Sequence, residues 1–196
     1  YKLLFILSII IFPMYADISD ETPQELQGAL PEVIEEGTYI ASQECIVPSG
    51  FTVRIKEGTT IYFKAFSGIT VKGELIVEGT PNNKVQFTSF KELNGNTPGP
   101  ADWNGIKVDE NASGLVMNNT TIQYSTFGIE LSSSDSKVIL FDVSFYKNGM
   151  ANLTIGETQV LSSDMEAGIK PITYIFNIKE NDEFKISSPV LTGTIG

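Results

Sequence analysis

The residues able to do chemistry are few, and their spacing narrows what they could do. Asp102-Trp103-Asn104 joins the only tryptophan to a carboxylate and an amide. An indole face can stack on a sugar ring while its polar neighbours take the hydroxyls. The other role open to the triplet is structural, with the ring packed at a chain corner and Asp102 and Asn104 making turn hydrogen bonds. Asp109-Glu110 is a candidate acid/base pair, but adjacent strand residues point to opposite faces, so they cooperate only if a turn redirects one. Asn-x-Ser/Thr sequons at Asn111, Asn118, Asn119 and Asn152 are acceptors for surface glycans or, alternatively, turn and ladder asparagines. Cys45 beside Ile46-Val47 reads as a small buried apolar residue.

Composition removes several classes of function. The 196 residues include no His and one Cys. Histidine-dependent triads, imidazole-ligated zinc and intrachain disulfides are therefore excluded. With 13 basic and 24 acidic side chains the net charge is −11, which argues against nucleic acid as a partner. No catalytic residue, metal site or cofactor is assigned. Calcium is conceivable on the acidic stretch Asp17 to Glu36, but no loop of EF-hand spacing converges those oxygens. That stretch is expected to be a solvated spacer or N-terminal cap over 17–33, with at most one helical turn.

Ahead of it, Leu3 to Phe12 is an apolar run behind Lys2, with Ala16 before Asp17. It is short for a membrane span, which needs about 20 residues. The pattern fits a secretory signal peptide over residues 1–16, although Met14 stands where a small residue is preferred. The expected location is therefore secreted or at the cell surface, with membrane contact only through this segment.

The elements that must position these residues come from a repeat. Glu-Gly-Thr recurs at Glu36, Glu57 and Glu78, with glycines 21 residues apart. Ile34, Ile55 and Ile76 stand three residues before each glycine, and Ile40 and Ile61 three after. A second word, glycine-apolar-any-apolar, starts at Gly50, Gly68, Gly105 and Gly128, with a degenerate copy at Gly149. Between glycines the chain alternates apolar and polar with period two, which predicts short strands with one buried face. Short strands, repeated corners and a period near 21 predict an all-β parallel β-solenoid over 34–158, in which equivalent residues stack in columns. About six coils at ~4.8 Å would make a rod on the order of 25–30 Å. The isoleucines 34, 55 and 76 are expected to form one such column.

The run VPSGFTVRIKEGTTIYFKAFSGITVKGELIVEGTPNNKVQFTS, followed by ADWNGIKV, resembles the right-handed parallel β-helix domains of the pectin-lyase-like class. The resemblance spans roughly 37–155 and implies a right-handed helix in a secreted or surface protein. It does not imply an activity, because such domains include lyases, hydrolases, adhesins and structural passengers. Pectin-degrading members carry clustered Asp residues, Gly-His-Gly and Arg-x-Lys. Only Arg54-Ile55-Lys56 is present here, and it reads as two outward side chains around an inward Ile. The same resemblance places Trp-x-Gly-Ile within a coil, which favours packing for Trp103.

The interruption Phe90–Asp102 breaks the repeat and is the natural place for a functional loop. The expected function is a non-catalytic structural, adhesive or carbohydrate-binding module facing an extracellular polysaccharide or surface protein. The alternative is a polysaccharide lyase or glycoside hydrolase using carboxylates. Residues 159–196 lose the rhythm and read as terminal strands or the start of a further region. The start at Tyr1 and the stop at Gly196 suggest part of a longer protein, such as a large receptor.

Overall fold

The computed structural model describes residues 22–133, 136–162 and 170–176, with 161–162 and 170–176 as backbone alone. The expected signal peptide, the acidic residues up to Glu21 and the terminal residues from 177 onward lie outside that range. The described chain is all-β with one short helix. No described helix is long and apolar enough to cross a membrane.

The strands follow in order as β1 (Gln24–Ala29), β2 (Val33–Ile34), β3 (Thr38–Val47), β4 (Thr52–Lys56), β5 (Thr60–Phe63), β6 (Ile69–Val71), β7 (Glu74–Glu78) and β8 (Val85–Ser89). After α1 (Phe90–Leu93) and a loop come β9 (Ile106–Val108), β10 (Gly114–Gln123), β11 (Phe127–Leu131), β12 (Val138–Tyr146) and β13 (Ala151–Ile155). The last two are β14 (Thr158–Ser162) and β15 (Lys170–Phe176).

Pairing is mostly parallel and falls into three ladders. The first runs β2, β4, β7 and then the leading halves of β10 and β12. The second joins the leading half of β3 to β5, β8 and the trailing halves of β10 and β12. The third joins the trailing half of β3 to β6, β9, β11 and β13. β14 and β15 add antiparallel strands to β13 and β12.

The inward residues of each ladder are almost wholly apolar and buried. Tyr39, Ile61, Phe87, Ile122 and Phe145 follow one another down the second ladder. Cys45, Ile69, Ile106, Ile129 and Leu153 do so down the third. Each buried side chain of this size contributes roughly 1.5–3 kcal/mol relative to exposure.

The expected isoleucine column holds for two members and fails at the third. Ile34 pairs with Ile55, but the next residue in register is Val77, followed by Met117 and Leu140. Ile76 sits opposite Arg54 and faces outward. The reason lies in Glu74-Leu75-Ile76-Val77-Glu78. Pointing Ile76 inward would carry both flanking glutamates into the core, whereas the observed phase buries Leu75 and Val77 completely. Ile40 is displaced likewise, since Tyr39 takes the inward place opposite Ile61.

The acidic stretch is a second correction. Gln24–Ala29 is a strand pairing with both halves of β3, which fits the N-terminal cap expected as one reading of 17–33 and not the solvated spacer with a helical turn expected as the other. Leu26 and Leu30 are the cause: both are buried at this end of the core while Gln24, Glu25 and Gln27 face out.

The Glu-Gly-Thr glycines mark the corner between the first and second ladders. Gly58 there has φ +74, a left-handed conformation that glycine adopts freely. Farther along the same two ladders this corner is held by Asn119 (φ 44) and Asp142 (φ 51), which register places opposite each other. Asn and Asp tolerate this region because their short polar side chains bond locally. The Asn119 amide donates to the carbonyl of Gly79, the preceding corner, at 3.1 Å.

Candidate functional site

The local chain sends the three residues of Asp102-Trp103-Asn104 in three directions. Trp103 points inward and is 1% exposed. Its ring stacks on Phe63 at 4.1 Å between centroids and 9° between planes, and its indole N–H donates to the Gln123 carbonyl at 2.8 Å. A ring so enclosed has no face for a sugar, which corrects the stacking role considered for it. Burial of the whole side chain with its N–H satisfied makes it a core residue.

Asp102 turns to the outside of the second ladder, where it ties down the Phe90–Asp102 interruption. Its carboxylate accepts from Ser89 Oγ at 2.7 Å, from the Gly99 N–H at 2.9 Å and from Lys91 Nζ at 2.5 Å. Burial opposes its ionisation, but the bonds from Lys91, Gly99 and Ser89 outweigh that and hold the carboxyl below the usual range. Ser89 also caps α1 by accepting from the Lys91 N–H. Nearby, Glu92 on α1 accepts from Thr88 Oγ1 and from Gln123 at 3.4 Å, and it also bonds Tyr124. The interruption is thus fastened to the sheet at both ends.

Asn104 goes the other way, to the outer face of the third ladder. There it lines a groove of about 260 Å³ with Glu44, Thr70, Lys107, Thr126, Phe127 and Glu130. The floor is a row across three neighbouring strands, since Lys107 lies opposite both Thr70 and Glu130. Lys107 Nζ is 3.2 Å from Glu130 Oε1. Thr70 donates to Glu44 Oε1 at 2.6 Å, and the Asn104 amide donates to the Phe66 carbonyl at 3.0 Å. Phe127 is half-buried and adds an apolar wall. The groove therefore combines two carboxylates, an ammonium, an amide, two hydroxyls and part of a ring.

Sequence reasoning missed this groove except for Asn104, yet a signal was present. Thr70, Lys107 and Glu130 are the variable third letters of the words at Gly68, Gly105 and Gly128. Because the words are in register, those letters form an outward row. The word at Gly50 belongs to the first ladder instead, and the copy at Gly149 is out of phase, since Leu153 rather than Met150 follows Ile129.

The remaining candidates take structural places. Arg54 and Lys56 face out around the buried Ile55 and both hold Glu78 at 2.6 Å. Hydrogen bonding from Lys56 is the largest cause of the lowered pKa of Glu78, with Arg54 adding to it against a burial penalty. Asp109 and Glu110 lie beyond the end of β9 and both bond Asn111, so they form a turn.

Of the sequons, Asn111 is exposed and Asn118 half-buried, whereas Asn119 and Asn152 are 6% exposed and engaged. A glycan on either of these two would have no room in the fold. Cys45 is buried, and burial first, then Glu44, pushes its thiol up to about 12. Asn148, fully buried and not anticipated, accepts from Ser125 N–H and Oγ and donates to the Ile122 carbonyl and to Asn152. Among the described residues, no group of three acidic or thiol side chains could hold a metal. Set against known proteins, the chain matches no family profile, no curated protein and no solved structure.

Proposed function

We propose that the chain is a right-handed parallel β-helix of the pectin-lyase-like kind, acting as a secreted or surface module that binds an extracellular polysaccharide without cleaving it. The fold part of this reading is supported by the three parallel ladders, whose partners recur at intervals such as 21 residues for Ile34 and Ile55 and 26 for Ile61 and Phe87. On this reading there are five complete coils, with β1 an incomplete first one, against the six expected from the period.

The observation that carries the binding part is the groove on the third ladder. Sugar recognition needs polar groups that both donate and accept, beside a small apolar surface. Lys107, Asn104, Thr70, Glu44, Glu130 and Phe127 supply that combination on rigid strands. The hydrolase alternative has less support. Glu78 and Asp102 are both held as anions by cationic neighbours, whereas a proton donor needs a carboxyl pushed upward.

Titration calorimetry with a panel of neutral, amino and uronate oligosaccharides tests the proposal. Binding to at least one class, weakened about tenfold or more in Asn104→Ala with no release of shorter sugars, is the expected result. Turnover of any of them would replace it with the enzymatic reading.

A further inference from the structure

We infer that the groove selects a sugar bearing a protonated amine, such as a glucosamine oligomer, over neutral or uronate chains. This rests on the saccharide-binding reading and specifies its ligand. The groove holds two carboxylates and one ammonium. Lys107 reaches Glu130 at 3.2 Å and so neutralises one of them. Glu44 is bonded within the groove only through the Thr70 hydroxyl, at 2.6 Å, and no described Lys or Arg forms an ion pair with it. Its second oxygen is thus available to an ammonium. Glu44 is also half-buried beside a partly apolar wall, where a charged hydrogen bond is screened less than at a flat surface.

The whole chain points the same way. At net charge −11 it repels a polyanionic chain and attracts a cationic one, and a groove with excess negative charge focuses that field. A neutral sugar fills the same hydrogen bonds without relieving the unmatched carboxylate. A uronate would place a third carboxylate beside Glu44 and Glu130. Its only cationic contact would be Lys107, which already holds Glu130.

The test is calorimetric titration of the full chain with three oligomers of equal length: fully deacetylated glucosamine, fully N-acetylated glucosamine and galacturonate. The deacetylated oligomer is expected to bind about tenfold more tightly than the N-acetylated one, with the advantage shrinking as salt rises. In Glu44→Gln, which keeps an acceptor for Thr70, that ratio should fall toward one. In Glu110→Gln, which removes an equal charge outside the groove, the ratio should persist. Matching thermal melts show that both variants are folded. Equal binding of the two glucosamine oligomers, an unchanged ratio in Glu44→Gln or preference for galacturonate overturns the inference while leaving a saccharide module. Binding to none of the three overturns this inference, and if the neutral sugars of the wider panel also fail, the saccharide-binding reading falls with it.

Discussion

Trp103 shows how one side chain can exchange an apparent role in recognition for one in cohesion. Stacked on Phe63 and 1% exposed, it fills the space where the interruption rejoins the sheet. Trp103→Ala should cost about 3–5 kcal/mol in urea unfolding, the range for emptying a large buried aromatic site. The variant's folded fraction should bind sugar as the parent does. Asp102 acts next door through charge. Its folded pKa lies below the unfolded value, so its contribution is present above the unfolded carboxylate pKa and is lost as pH falls through the folded one. The stability gap between the parent and Asp102→Asn should therefore be full near neutrality and shrink below about pH 4. A gap that widens with acid would mean the carboxylate is not held as the anion.

At the scale of elements, the corners decide register. Gly105 has φ +115, and a Cβ there would lie 1.7 Å from the Phe127 carbonyl oxygen, so neighbouring backbones would have to part. Gly95, in the loop after α1, also has a positive φ, +69, but open space around it. Gly105→Ala should cost at least ~2 kcal/mol and Gly95→Ala about 1 kcal/mol, measured by chemical denaturation.

These corners also explain what the sequence could show. Alternation and Glu-Gly-Thr made the strands and the first three corners legible. The word then disappears because Asn119 and Asp142 stand where Gly79 stood one strand earlier, and a search for identical letters does not see a shared place in the register. The phase at Ile76 was misread because three apolar residues in a row permit two inward faces, and only the flanking glutamates distinguish them. β1 was hidden by its acids, since two inward leucines suffice for a strand at the end of a core. The site was partly legible: the loop was visible, but which way 102, 103 and 104 would point depended on a chain reversal with no local mark.

Over the whole molecule, the ladders divide labour between inside and outside. Inward positions are nearly uniform in chemistry because each must pack on its predecessor. Outward positions vary freely, so polar groups far apart in sequence meet on one surface, as Thr70, Lys107 and Glu130 do.

The most direct test follows backbone amides and the single indole N–H by two-dimensional NMR while a glucosamine oligomer is added. The amides of Thr70, Asn104, Lys107, Phe127 and Glu130 should shift together as the groove fills, while the Trp103 indole signal stays in place. Shifts centred on Trp103 and the Phe90–Asp102 interruption, with the groove amides silent, would contradict the account.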